Sequence, residues 1–119
     1  MDNRPKTIIC DIDGTLVEHK APTLNTAYSK KLKLLSGTIE KFSEWDALGY
    51  NIILITGRRE SMRKSTEKQL SELGIFYDTL IMGIGGGPRI LINDKKPDGA
   101  ESAYVFNIER NTGIKNIKI

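Results

Sequence analysis

The chain has 119 residues, 28% of them charged, with a net charge of +3 and one cysteine. That length suits one domain with a real core and leaves little room for a second, so residues 1–119 are expected to form a single unit. No apolar run approaches the length needed to cross a bilayer, and one cysteine cannot close an internal disulfide.

The opening Met-Asp-Asn-Arg-Pro-Lys lacks the apolar core of a secretory signal, which points to a cytoplasmic location. The basic groups, Ser29 to Lys33, Arg58-Arg59 with Arg63-Lys64, and Lys95-Lys96, suit an anionic ligand. No aromatic residues are interleaved to stack on bases, so nucleic acid is not the favoured partner.

Thr7 to Cys10 is a β-branched run that stops at Asp11-Ile12-Asp13-Gly14-Thr15, as a buried strand does when it ends in a turn. Alternation along an extended segment sends Asp11 and Asp13 to one side and Ile12 to the other. Two carboxylates in one small space call for a cation between them or a shared proton. Cys10, inside the apolar strand, reads as a small buried hydrophobe.

A polar loop follows over residues 18–28, with His19, the only histidine, as a solvated side chain beside the acidic turn. From Thr38 the spacing of Ile39, Phe42 and Trp45 predicts a helix, capped by Thr38 or Ser36 and closed by Gly49. Asn51 to Thr56 is a nearly continuous apolar run, as in a strand covered on both faces. It ends in Thr56-Gly57-Arg58. A second helix is expected from about Glu60, with Met62, Thr66, Leu70 and Leu73 inward and Gly74 at its end.

Asp78 to Met82 reads as a third strand, Ile90 to Ile92 as a fourth running into Asn93-Asp94, and Ala103 to Asn107 as a fifth. The tail carries a turn signal at Asn111-Thr112-Gly113 and adds either an edge strand or a loose end. Gly83 to Pro88 fits neither a dinucleotide loop nor a Walker loop, and reads as a turn that lets backbone pass close to the site. Alternating strands and helices predict an α/β, three-layer Rossmann-like sandwich with a mostly parallel sheet of about five strands. In such sheets ligands bind at the carboxyl ends of the strands, which would gather Asp11, Asp13, Thr56 and Asp94.

This combination resembles the haloacid dehalogenase (HAD) superfamily of phosphohydrolases, in its small capless form. The strand followed by Asp11-Ile12-Asp13-Gly14-Thr15-Leu16 is similar to the family's first motif, Ile52 to Thr56 to its second, and Ile90 to Asp98 to its fourth. The resemblance implies Asp11 as nucleophile and Mg²⁺ ligand, and Asp13 as general acid/base and metal ligand. Asp94 and Asp98 would complete the metal set, and Thr56, Gly57, Arg58 and Arg89 would hold the phosphoryl group. The third motif is a single basic residue; Arg89 is the choice, ahead of Lys95 and Lys68. Asn93 stands where the family often has an acid.

The function expected is Mg²⁺-dependent hydrolysis of a phosphomonoester through an aspartyl phosphate on Asp11. The substrate favoured is a small phosphorylated metabolite, a sugar phosphate or nucleotide. There is too little chain for a cap, so the site should be open or covered by a neighbouring copy in a homo-oligomer. The rivals are a receiver-like phospho-accepting domain, disfavoured because Thr56 precedes Asp94, and a catalytically silent phosphate-binding domain.

Overall fold

The computed structural model describes residues 2–19 and 32–119; most of the expected 18–28 loop and of the basic group at Ser29 to Lys33 lies outside them. Strand β1 is Thr7–Asp11, helix α1 Thr38–Ala47, strand β2 Asn51–Ile55, helix α2 Arg63–Leu73 and strand β3 Thr79–Ile81. A 3-10 turn, Glu60–Met62, leads into α2 where the sequence suggested that helix would begin.

The three strands are parallel in the order β1-β2-β3, with Cys10 beside Leu54 and Leu54 beside Leu80. Successive right-handed crossovers that move the sheet in one direction put both helices on the same face. Burial agrees: Cys10, Ile52, Leu54 and Leu80 are buried, while Ile9 and Ile81, which point the other way, are 53% and 43% exposed. Phe42 and Trp45 of α1 and Thr66 and Leu70 of α2 fill the helical side.

The expected caps are partly replaced. Gly37, with φ of 89°, takes the N-cap position of α1, and no side chain caps that end. A Cβ there would run into the backbone of Lys115, so glycine is needed both for its conformation and for its lack of bulk. Thr38 instead donates its hydroxyl to the Leu16 carbonyl (2.8 Å), tying α1 to the loop after β1. Gly74 closes α2 in the left-handed conformation, as its position suggested.

Two sequence expectations are corrected. The described residues form three strands, not five, because Ile90 to Ile92 and Ala103 to Asn107 have no regular secondary structure and pair with nothing in the sheet. The described helices make one layer against the sheet and not two, so β2 is buried on one face and half-buried on the other. β propensity favours an extended backbone, but a strand also needs a neighbour to accept its hydrogen bonds.

Residues 86–107 instead form an arm that leaves the core after Gly85 and rejoins it at Ile108. Within it Asn93 donates to Ser102 (2.7 Å), Lys95 pairs with Glu101 (3.6 Å), and Lys96 reaches Asp2 (2.6 Å). The tail packs through Ile108, Ile114 and Ile117, with the Ile114 amide donating to the Ser36 carbonyl (2.8 Å). No helix among the described residues is long and apolar enough to cross a membrane.

Candidate active site

The acidic turn is a knot of main-chain bonds. The Ile12 carbonyl accepts the amides of Thr15 (3.2 Å), Leu16 (2.9 Å) and Val17 (3.2 Å), and Gly14 donates to the Val17 carbonyl (2.7 Å). Ile12, Leu16 and Val17 are buried beneath, so the turn is held from below. Asp11 ends β1 beside Ile55, and Asp13 follows two residues on.

Asp11 is partly buried, and that burial pushes its carboxyl above the ordinary aspartate range. The Ile12 amide, the Arg89 guanidinium and the Thr15 hydroxyl (3.4 Å) favour the charged form, while Asp13 opposes it. Cys10 behind it is buried as expected, its thiol pushed up to about 12 by desolvation and by the nearby Asp11 charge.

Asp13 is gripped by Arg58, which donates from Nη2 to Oδ1 (2.8 Å) and from Nε to Oδ2 (3.0 Å), a two-pronged bond. The same guanidinium donates from Nη1 to Thr66 (3.1 Å) and to Gln69 (2.7 Å) of α2. Arg58, expected to hold substrate, is only 4% exposed and is committed to Asp13 and α2. The signal for this role lies in tertiary placement, since Thr66 and Gln69 reach it only once α2 has packed.

Thr56 directly follows β2 and is buried. Its Oγ1 accepts the Arg58 amide (3.1 Å), and none of the described contacts uses its hydroxyl as a donor. A Cβ on Gly57 would come within 2.9 Å of the Gly85 carbonyl oxygen, so the glycine-rich loop passes close against the strand end, as the sequence reading proposed. The Gly83 amide fixes that loop by donating to the Arg58 carbonyl (2.8 Å).

Arg89 is exposed and curls over this loop, donating to the carbonyls of Gly87 (2.6 Å) and Gly85 (3.2 Å), near enough for its charge to act on Asp11. Lys68, the third choice, is on the exposed side of α2 against Glu72 (3.9 Å), and Lys95 is on the arm. Asp94 and Asp98 are also on the arm and exposed, Asp98 accepting the Ala100 amide (2.9 Å) in its turn. The described residues hold no group of three or more acidic, histidine or cysteine side chains able to bind a metal. Asp11 and Asp13 are therefore brought together with Thr56 and Arg58, and Asp94 and Asp98 are not, because the strand meant to carry them is outside the sheet.

One contributor went unassigned in the sequence. The Asn111 amide donates to the Gly14 carbonyl (2.9 Å), and its side chain accepts the His19 amide (2.6 Å), so the tail clamps the acidic turn. Arg110 packs its side chain against Gly14. The turn signal at Asn111-Thr112-Gly113 was visible, but its partner was not.

Comparison with known proteins locates the fold. Residues 5–84 match the family described as the polynucleotide kinase PNKP phosphatase domain. Among solved structures, a Pnkp1/Rnl/Hen1 complex contains a chain 34% identical over 66% of this one (TM-score 0.56). A second structure, described as the Pnkp1/Rnl/Hen1 RNA repair complex, is 32% identical over 66% (TM-score 0.52). This chain spans only 27% and 25% of those two. A crystal structure from Vibrio cholerae is 23% identical over 84% of this chain and 90% of that one (TM-score 0.52), a likeness of fold. Among curated proteins no significant match was found.

Proposed function

The chain belongs to the PNKP phosphatase-domain family of the haloacid dehalogenase superfamily, and from that premise we propose that it is a Mg²⁺-dependent phosphomonoesterase working through Asp11. We read residues 1–119 as one HAD-like core unit. The family is one of phosphohydrolases; the nucleophile, the metal and the substrate are this reading's own. The observation that carries it is the meeting of Asp11 and Asp13 at the end of β1 with Thr56 and Arg58 at the end of β2.

In this reading the Asp11 carboxylate attacks phosphorus in line, and the bond to the leaving oxygen breaks as Asp13 passes on to that oxygen a proton it has first taken up from solvent against its pairing with Arg58. Asp13 then takes a proton from water, which attacks the acyl phosphate, frees inorganic phosphate and restores Asp11. The Thr56 hydroxyl, already oriented by the Arg58 amide, donates to a phosphoryl oxygen, and Arg89 balances charge from the loop. Arg58 fixes the Asp13 carboxylate and does not itself touch substrate.

The donors suit a hard cation. Asp11 offers a carboxylate, and the Asp13 main-chain oxygen accepts no bond among the described residues. Mg²⁺ binds few protein oxygens and keeps several waters, so this small set is compatible with it. Bound there, it would neutralise charge on the phosphoryl oxygens.

For the substrate, the family match and the RNA repair neighbours favour the phosphate end of a polynucleotide over the small metabolite suggested by the basic groups. Assay of the whole chain on end-phosphorylated oligonucleotides, sugar phosphates and an aryl phosphate, with Mg²⁺ and with chelator, tests both levels. Release of phosphate that requires Mg²⁺ and Asp11 is expected, fastest on the oligonucleotide. No release above an Asp11→Asn control on any substrate would end the proposal.

A further inference from the structure

Among the described residues two apolar surfaces stand open. One is the arm. Ile90, Leu91 and Ile92 on its outgoing run and Tyr104, Val105 and Phe106 on its returning run are 51–91% exposed. Taking on the order of 150–200 Å² for a whole side chain of this kind, they leave roughly 800 Å² open. Neighbouring positions of a run face different ways, so about half of this can meet one surface. Together with the open sheet face, each copy then contributes on the order of the roughly 800 Å² that one partner brings to a standard interface.

The other is the sheet face opposite α1 and α2, where Ile9 and Ile81 stand open and Ile53 and Ile55 are half-buried. No described helix lies on it. Both strands at the rim, β1 and β3, have one unpaired edge.

The arm has a defined shape. Its tip is closed by the Lys96 amide on the Ala100 carbonyl (2.9 Å) and by the Lys96 to Asp2 pair, and its base by the bonds at Gly83 and Asn111. Between these points, over residues 85–95 and 101–108, no main-chain group makes a main-chain hydrogen bond among the described residues. Two runs outside the sheet thus present apolar side chains to solvent, as a surface made to be covered does.

We propose that two copies of this chain pair about a two-fold axis, the arm of each covering the bare sheet face of the other. One chain holds both halves of the contact, so the pairing closes on itself and leaves neither surface over. The arm and the sheet face together supply an area of the order such a dimer needs. Ile9 is two residues before Asp11, so the partner's arm lies along the approach to the candidate site and walls it.

Light scattering on the whole chain across a concentration series tests the proposal. The expected mass is twice 13.3 kDa, falling to the single value in an Ile92→Lys, Val105→Lys double variant whose circular dichroism and melting are unchanged. A milder pair guards against misfolding: Ile9→Cys mixed with Val105→Cys, both in a Cys10→Ala background, treated with a short bismaleimide, should yield cross-linked dimer that neither variant gives alone. A wild-type protein that stays monomeric at its highest soluble concentration overturns the proposal, since the arm is then covered from within the chain or left bare. So does a dimer that survives the double variant, or Val105→Cys linking to itself as readily as to Ile9→Cys, which would place arm against arm.

Discussion

The acidic turn and the arm both carry residues that the family resemblance assigns to the site, yet they are built in opposite ways. Around Asp11 and Asp13 nearly every polar group is engaged, Ile12 and Leu16 are fully buried, and Arg58 binds Asp13 and α2 at once. Around Asp94 and Asp98 the side chains face solvent and, apart from the Lys96 to Asp2 pair, the contacts are short-range. Carboxylates on saturated, buried strand ends are held where chemistry can use them; carboxylates on an arm are placed by whatever the arm packs against.

Asp11→Asn should break the first region most severely. Losing the nucleophile is expected to lower turnover on the order of 10³-fold or more, with substrate binding retained, as read by steady-state assay and by titration with unhydrolysed oligonucleotide.

Arg58→Ala should strike the same region through its support. It removes one partner of a buried ion pair and strands Asp13, a change that typically costs about 3–5 kcal/mol. Urea unfolding of the variant should show that loss. Arg58→Lys, which keeps the charge but not the fork, should recover part of the stability and little of the turnover. Equal turnover in Arg58→Lys and wild type would mean that Asp13 does not depend on the fork.

How far the sequence could be read follows the same division. Asp11-x-Asp13-Gly-Thr, the apolar run to Thr56 and both helices are local patterns, and alternation and spacing are sufficient to place them. The family match covers this part of the chain and ends at residue 84. The arm fails the same test because Ile90 to Ile92 has the composition of a strand but no neighbour, and composition cannot supply one. Arg58 was visible as a cation at a strand end; that it turns inward to Asp13 depends on Thr66 and Gln69, eight and eleven residues on. Asn111 shows the reverse case, a turn residue whose role is set by a loop almost a hundred residues earlier.

A smaller effect sharpens the cost of the first region. Burial holds the Asp11 carboxyl above its ordinary range. Between the ordinary and the raised value the folded chain binds the proton and the unfolded chain does not, so stability falls as pH rises through that window. Above the raised value the whole penalty is present; below the ordinary aspartate range it is gone. Asp11→Asn should therefore be more stable than wild type at pH 7 in chelator, within the roughly 0.5–2 kcal/mol common for such gains, and the two should converge in acid. Saturating Mg²⁺ should narrow the gap by stabilising the wild type.

The smallest expected effect falls on the arm. In the observed arrangement Asp94 is exposed on the arm and joins no cluster of acids with the acidic turn, so Asp94→Asn should change turnover by less than about threefold, the scale of a surface substitution away from special features. Steady-state rates at saturating and limiting Mg²⁺ separate the possibilities. A loss as deep as that of Asp11→Asn, relieved by raising Mg²⁺, would mean that the arm delivers Asp94 to a metal during turnover. The contrast between the two regions would then be one between a fixed half of the site and a half that assembles.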